Sequence, residues 1–331
     1  MNKLVNTLLC AAGLLSVSHI ATRAQESVDS LRQNVVSYVA RNFSEARTFN
    51  LYWEVSPTHN YTLERDGKEI ENGKMETLRT VKFQTTIPVL STRRFSIYAD
   101  GEFNTHHFEI DGTDKEKSIF TTNDDGHNNH LYYKGGIRAN YYMQLLGKPL
   151  LLSTSVAVDG WEKGIGKLQG SVLALMSLKQ SAANSVSLGL CVTYPYQMIP
   201  VAPIVTWSHR FNAHWLIDLT LPSRTYVRYQ NGKHRFSAGM SMENEHFYLK
   251  PGIEGLPETC FYSKDIVRPE LVYECILNKH FYLIARTGGI GVINGGLYDT
   301  DRKGTDGDPL VKVSHPITPF FNVGFSYNIF K

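Results

Sequence analysis

The chain has 331 residues with 34 Lys and Arg against 31 Asp and Glu, a formal charge of +3. A balance so close to neutral weighs against nucleic acid as a partner, because phosphate binding needs a dense basic footprint. Beyond residue 24 the cysteines are Cys191, Cys260 and Cys275; this odd set at irregular spacing, with no Cys-x-x-Cys pair, is neither a disulfide framework nor a zinc motif.

Residues 1–24 read as a secretory signal peptide. Lys3 supplies the basic start, Leu4 to Val17 an apolar run too short to span a bilayer comfortably, and Thr22-Arg23-Ala24 the small-residue recognition site. Cleavage is expected after Ala24; it removes Lys3 and Arg23 from the 34 basic side chains and takes the formal charge to +1. Cys10 lies too early for lipidation, because the apolar run continues through Leu14 and Leu15. Residues 25–46 are expected to be a short amphipathic periplasmic lead-in, with a lumen plug as the alternative; Val28, Leu31, Val35 and Val39 lie near helical spacing and Asp29 is placed to cap. No later stretch approaches the length of an apolar transmembrane helix, which excludes a helical membrane protein. The remainder, 47–331, is one β domain.

From residue 47 onward two-residue alternation dominates. Phe49, Leu51, Trp53 and Val55 oppose Asn50, Tyr52 and Glu54; Val81 to Ile87 and Phe95 to Asn104 repeat the pattern. The run His130 to Leu145 is the clearest, placing Leu131, Tyr133, Ile137, Ala139 and Tyr141 on one face and His130, Tyr132, Lys134, Arg138 and Asn140 on the other. It is about sixteen residues long, well beyond the usual strand of a soluble sandwich and enough for a tilted strand to cross a bilayer. Further strands are predicted from Leu150, Leu168, Val186, Val201, Trp215, Arg224, Arg235, Val267 and Phe281, and a closing strand from Thr318. Tyr61 to Glu69 alternates enough to extend the first hairpin outside the membrane. Pro203 inside a strand calls for a bulge or a late strand start, and the tight Pro222-Ser223 link leaves open one bent strand in place of two.

Connections alternate in length. Ser91 to Arg94, Leu146 to Pro149, Ser181 to Asn184, Phe211 to Ala213, Asn231-Gly232 and Asn278-Lys279 are short, with Asn231-Gly232 the favoured type I′ pair. Those between them, including Ser56 to Lys74, Asp111 to Asn129, Gly160 to Lys167, Lys250 to Ile266 and Asn294 to Pro316, are expected to be long. Phe95, Trp207, Trp215, Phe281 and Phe330 sit beside the short connections, as an aromatic girdle would.

The closing strand carries a resemblance. Asn322, Gly324, Tyr327 and Ile329 fit the pattern that ends bacterial outer-membrane β-barrels and serves as their assembly signal, although Phe330 and Lys331 overrun its usual end. From Arg47 through Leu221-Pro222-Ser223-Arg224 to the end, the chain is similar to uncharacterised outer-membrane barrels bearing only a domain-of-unknown-function label. The expected fold is all-β: a transmembrane antiparallel up-and-down β-barrel of about fourteen strands, with twelve as the alternative. The expected location is the outer membrane, with outer-membrane lipid and the barrel assembly machinery as partners.

Alternation turns a mixed set of charges inward: Glu54, Lys82, Asp100, Glu102, Lys134, Arg138, Asp159, Arg210, Asp218, Arg224, Arg228, Arg235, Glu243, Glu270, Glu274 and Arg286. A selectivity ring tends towards one sign, whereas interleaved signs can pair across a lumen and fill it. The porin-like expectation is a channel or transporter for a small solute; the alternative is a closed structural or surface-interaction barrel, and a lipid-modifying enzyme ranks third. Ser208-His209, with Asn212, is the nearest approach to a nucleophile and base, but no motif fixes such a pair. His106, His107, His127 and His130 gather around one external loop without a coordination geometry. Asp299, Asp301, Gly304, Asp306 and Asp308 have the rhythm of a calcium loop, but Lys303 stands where an oxygen ligand is wanted. No catalytic, cofactor or metal residue is therefore assigned.

Overall fold

The computed structural model describes residues 46–111, 119–120, 129–181, 183–194, 201–251, 253–300 and 309–329. The expected signal peptide, almost all of the lead-in, His127, Asp301 to Asp308, Phe330 and Lys331 lie outside the described residues. Among the described residues sixteen strands form: β1 (Phe49–Ser56), β2 (His59–Arg65), β3 (Lys68–Ser91), β4 (Phe95–Asp111), β5 (Asn129–Leu145), β6 (Lys148–Trp161), β7 (Gly164–Gln180) and β8 (Asn184–Tyr194), followed by β9 (Val201–Arg210), β10 (Trp215–Leu221), β11 (Arg224–Asn231), β12 (His234–Leu249), β13 (Cys260–Ile276), β14 (Phe281–Asp299), β15 (Val311–Ser314) and β16 (Thr318–Tyr327).

Strands β3 to β14 pair in sequence order, each antiparallel to the next. β16 joins β14 to β1, and β1 pairs back onto β3, so the wall closes. The result is a barrel of 14 staves. β2 and β15 are not extra staves: β2 continues β1 beyond Pro57, and β15 precedes β16 beyond Pro316. They pair with each other and with β3 and β14, repeating the closure at an outer level. Proline has no N–H for the ladder, and both interruptions fall beside one.

The wall is inverted relative to a soluble protein. Leu51, Trp53, Ile137, Val156, Leu190 and Phe325 point outward and are exposed, while Asn50, Glu54, Asp218, Arg228 and Asn322 point inward and are buried. With every stave paired on both sides along the belt, the backbone groups are satisfied within the wall and lipid can surround it. Short turns, both described chain ends and a set of rings share one end. Trp215 packs on Tyr229 at 5.0 Å and Phe281 on Tyr327 at 5.0 Å, with Trp207 beside His209. This is the periplasmic end.

Several local expectations change. The connection expected from Gly160 to Lys167 is only Glu162-Lys163, because β6 and β7 pair as far as Trp161↔Gly164. Pro222-Ser223 does separate two strands, which settles the count at fourteen staves over twelve. The β11–β12 turn is Gly232-Lys233, framed by Asn231↔His234, with Gly232 alone at positive φ (57°). It is thus shifted by one residue from the expected Asn-Gly pair. Pro203 sits in an unbroken ladder opposite Leu190. β10 has ended at the level of Val205, so β9 has a free edge there and needs no bulge.

The outer half departs furthest from a plain barrel. β11 and β12 part after Arg224↔Ser241, whereas β12 and β13 stay paired up to Leu249↔Cys260. This outer hairpin turns into the barrel, and β13 is buried at every position from Cys260 through Ile266. Phe247 and Leu249 enter an apolar core that, among the described residues, draws on β2 to β6, β12 to β15 and the β4–β5 connection, with Ile253 and Leu256 of the β12–β13 connection packed against it. The opposite face of β12 meets the inner wall of β5 and β6. The apolar runs Phe247-Tyr248-Leu249 and Cys260-Phe261-Tyr262 fit a hairpin covered on both faces. Among the described residues the staves β8 to β11 are shorter than their neighbours and end below this outer tier, leaving the described rim low on that side.

Candidate functional site within the barrel lumen

The outermost layer of the interior is an aromatic core. Phe247 lies 4.8 Å from the His106 ring, 5.1 Å from His130 and 4.8 Å from Tyr262. Ile119 and Phe120, from the β4–β5 connection, are fully buried in the same core, where the Phe120 carbonyl accepts a hydrogen bond from His130 Nε2 at 3.1 Å. His106 and His130 are therefore core residues facing inward, whereas His107 is half-buried, beside Glu109 at 3.5 Å. Near the proline breaks, burial with the charges of Lys264 and His59 pushes His315 down to about 3. Burial likewise lowers His59, against the opposing effect of its bond to the Pro57 carbonyl.

Beneath this core lies an ionic layer. Arg268 donates to both oxygens of Glu54 at 2.6 and 3.0 Å and to Glu245 at 2.8 Å. Glu245 also receives Lys264 at 2.9 Å and Lys82, while Glu243 lies 3.3 Å from Arg268 and 3.7 Å from Lys82. Asn322 of the closing strand completes Glu54 at 3.1 Å. Three carboxylates thus face three cations, which is the condition for tolerable burial of charge. Arg268, Glu245 and Lys264 were not among the inward charges expected from sequence. Arg268 shares strand parity with Glu270 and Glu274, and Glu245 with Glu243, so the signal was present for both. Lys264 has the same parity on β13, because the register shift at Asp265/Ile266 places its extra residue, Ile293, on β14; it was missed because Lys250 to Ile266 reads as a connection.

A second polar cluster ties β12 to the opposite wall. Asp159 accepts from Tyr132 at 3.2 Å, Gln169 at 2.6 Å, Tyr248 at 2.9 Å and the Lys167 N–H at 2.7 Å. His246 joins Tyr132 at 2.7 Å through Nε2 and Asn244 at 2.6 Å through Nδ1. The cluster stands where the outer hairpin meets β5 to β7, next to the low rim.

Towards the periplasm the inward charges hug the wall. Lys134 pairs with Glu102 at 2.6 Å, Arg138 with Asp100 at 3.0 Å and Arg228 with Asp218 at 3.2 Å, each between neighbouring staves. Glu274 takes Arg235 at 3.0 Å and Arg47, whose guanidinium lies 3.8 Å from the Tyr282 ring centroid. Arg286 stands 4.0 Å from Glu270 and over the Tyr52 ring. All the inward charges expected from sequence that are named here lie inside, Asp159 and Glu243 included. On β6 to β9 several inward side chains are small or hydroxylated, with Ser155 bonded to Ser171 at 2.7 Å and Ser185 to Ser208 at 2.8 Å. Ser208 is thereby turned inward while His209 packs outward on Phe211 at 4.6 Å. The two side chains lie on opposite faces of β9 and do not form a nucleophile–base pair.

Of the four closing-strand residues, Asn322 binds Glu54, and Gly324 lies against Tyr52, whose ring a side chain at 324 would overlap. Tyr327 packs on Phe281 and Phe49, and the Ile329 N–H donates to Thr48 Oγ1 at 3.0 Å.

A closed antiparallel wall with an apolar exterior, a periplasmic aromatic girdle and a polar interior defines an outer-membrane β-barrel, and that is what this chain is. No protein-family model and no curated protein matches its sequence. Several solved structures are similar in architecture. An outer membrane channel from Pseudomonas putida F1 aligns with 86% of this chain and 98% of its own, at 7% identity and a TM-score of 0.40. The Pseudomonas putida toluene transporter TodX covers 89% and 92% at 7% identity and a TM-score of 0.36. The outer membrane protease OmpT from Escherichia coli covers 85% and 96% at 7% identity and a TM-score of 0.27.

Proposed function

We propose that the barrel is a small-solute channel whose path runs off-axis, along the inner face of β4 to β9, and leaves over the low rim of β8 to β11. The observation that carries this reading is the exposure of inward-facing charge. The Arg138 and Asp100 side chains point into the lumen yet are 36% and 33% exposed, whereas Arg268 and Glu54 are 3% and 7% exposed. The inward charges of β4 and β5 thus meet water more than the centre of the ionic layer does, with Glu243 at that layer's margin also 33% exposed. Among the described residues the aromatic core draws nothing from β7 to β11, so it caps one half of the mouth, and the cluster of Asp159, Gln169 and His246 forms the lip of the other. Adjacent charges of both signs along the path suit small polar solutes without strong ionic preference.

Conductance of the refolded barrel in a planar bilayer tests the proposal. Discrete openings, reduced by Ser171→Trp on the small-residue wall and spared by Ser237→Ala at a buried position, are expected. A silent bilayer, together with vesicles impermeable to small sugars, would favour the closed surface-interaction barrel, the reading to which the packed outer core lends support. The closing strand, with Asn322, Gly324, Tyr327 and Ile329, is proposed in addition to be the signal read by the assembly machinery.

A further inference from the structure

Where the two proline breaks meet, a cavity of about 20 Å³, room for one small occupant, is lined by His59, Met75, His315, Tyr262, Ser56 and Lys264 among others. His59 and Met75 are direct partners across the β2–β3 ladder, which places their Cβ atoms about 5 Å apart. The rings of His59 and His315 have centroids 5.4 Å apart at an interplanar angle of 58°. Two imidazoles bound to one ion through nitrogens at about 2 Å have centroids separated by roughly 5–6 Å.

Both rings offer an unused nitrogen. His59 Nδ1 lies 2.9 Å from the Pro57 carbonyl, which can only accept, so Nδ1 carries the proton and Nε2 the lone pair. Such a bond to a backbone carbonyl is the usual support of a metal-bound histidine. His315 Nε2 is 3.4 Å from the Tyr262 hydroxyl, and its Nδ1 is buried with no hydrogen-bond partner. Met75 is 1% exposed and brings a thioether.

We propose that this cavity is a binding site for a monovalent soft metal ion, Cu(I), held by His59, His315 and Met75. Thioether and neutral imidazole are the donors that favour Cu(I), and the three named donors include no carboxylate, as a hard divalent cation would want. Lys264 reinforces the choice: its ammonium is engaged by Glu245 at 2.9 Å, and a single added charge is opposed less than a double one. Among the described residues no group of three His, Cys, Asp or Glu gathers as an alternative metal site. The site is independent of the channel reading, since none of its three donors comes from β4 to β9.

The test uses the full chain, with its four cysteines replaced by Ser or Ala so that thiols do not compete, refolded in detergent. Cu(I) binding is measured by competition with a chromophoric chelator, and Ag(I) binding by elemental analysis after desalting. One equivalent of each is expected, with Met75→Leu and His315→Gln each weakening Cu(I) at least about tenfold. Folding of each variant is checked by heat-modified gel mobility, and Met75→Leu conserves volume so that the core persists. Failure of the parent to retain Cu(I), unchanged affinity in both folded variants, or tighter binding of Zn(II) than of Cu(I) would overturn the assignment.

Discussion

Replacing Arg268 with Met is the sharpest probe of how this interior is held. Arg268 contributes two hydrogen bonds to Glu54 at 2.6 and 3.0 Å, one to Glu245 at 2.8 Å and a contact with Glu243 at 3.3 Å, and its guanidinium lies 4.9 Å from the centroid of the Phe320 ring. Its removal leaves Glu54, Glu243 and Glu245 facing Lys82 and Lys264 alone, so one negative charge is uncompensated in a layer where Glu54 and Glu245 are buried. Breaking a buried pair from one side costs about 3–5 kcal/mol. Methionine retains the packing volume, so the loss is electrostatic. In Arg268→Met/Glu54→Gln two carboxylates face two cations again, the introduced amide can still meet Asn322, and stability should return to within about 1 kcal/mol of the parent. Guanidinium unfolding of the vesicle-embedded barrel, followed by tryptophan fluorescence and by gel mobility, reads both variants. A coupling below about 0.5 kcal/mol, or a double variant no more stable than the single, would refute the reasoning.

Phe120→Ala should cost about 3–5 kcal/mol, because the ring is fully buried among Tyr61, Phe108 and Tyr262; it should also raise single-channel conductance by loosening the cap, and an unchanged trace would separate cap from path. The outer tier should weaken as the pH falls from about 6.5 towards 3. His315 is held neutral when folded and titrates near 6.5 when unfolded, so the unfolded state binds more protons in that window and stability is lost at about 1.4 kcal/mol per pH unit. Limited proteolysis at β2 and β15 across that range checks the sign. Tyr327→Ser/Ile329→Ser should impair insertion into the outer membrane, read as loss of heat-modifiable barrel; normal insertion would remove the assembly role. Gly324→Ala should destabilise the folded barrel because the added methyl meets the Tyr52 ring.

Alternation made the wall legible. Each inward charge expected on β4, β5, β10 and β11 follows from two-residue parity, and parity survives wherever one face meets lipid. It says nothing of strands that leave the wall. The outer halves of β12 and β13 are covered on both faces, so their apolar runs do not alternate, and the segment carrying Lys264 reads as a long connection although it continues β13 in the parity of Arg268. The partnership of Tyr132 with His246 joins staves far apart in sequence and across the lumen, and no local spacing encodes it. The turn at Glu162-Lys163 was masked by Gly164 and Gly166, which read as loop although Gly164 lies in the ladder.

The first and last staves meet along a short ladder, and closing it joins segments separated by almost the whole barrel domain, an entropic cost that falls at the end of folding. Side-chain bolts cross that joint: Ser326 to Asn50 at 2.6 Å, Asn322 to Glu54 at 3.1 Å, and the Ile329 N–H to Thr48 at 3.0 Å. They engage only once the ring is complete, so they act as a latch on the finished cylinder and slow its reopening while leaving the earlier staves free to form without them.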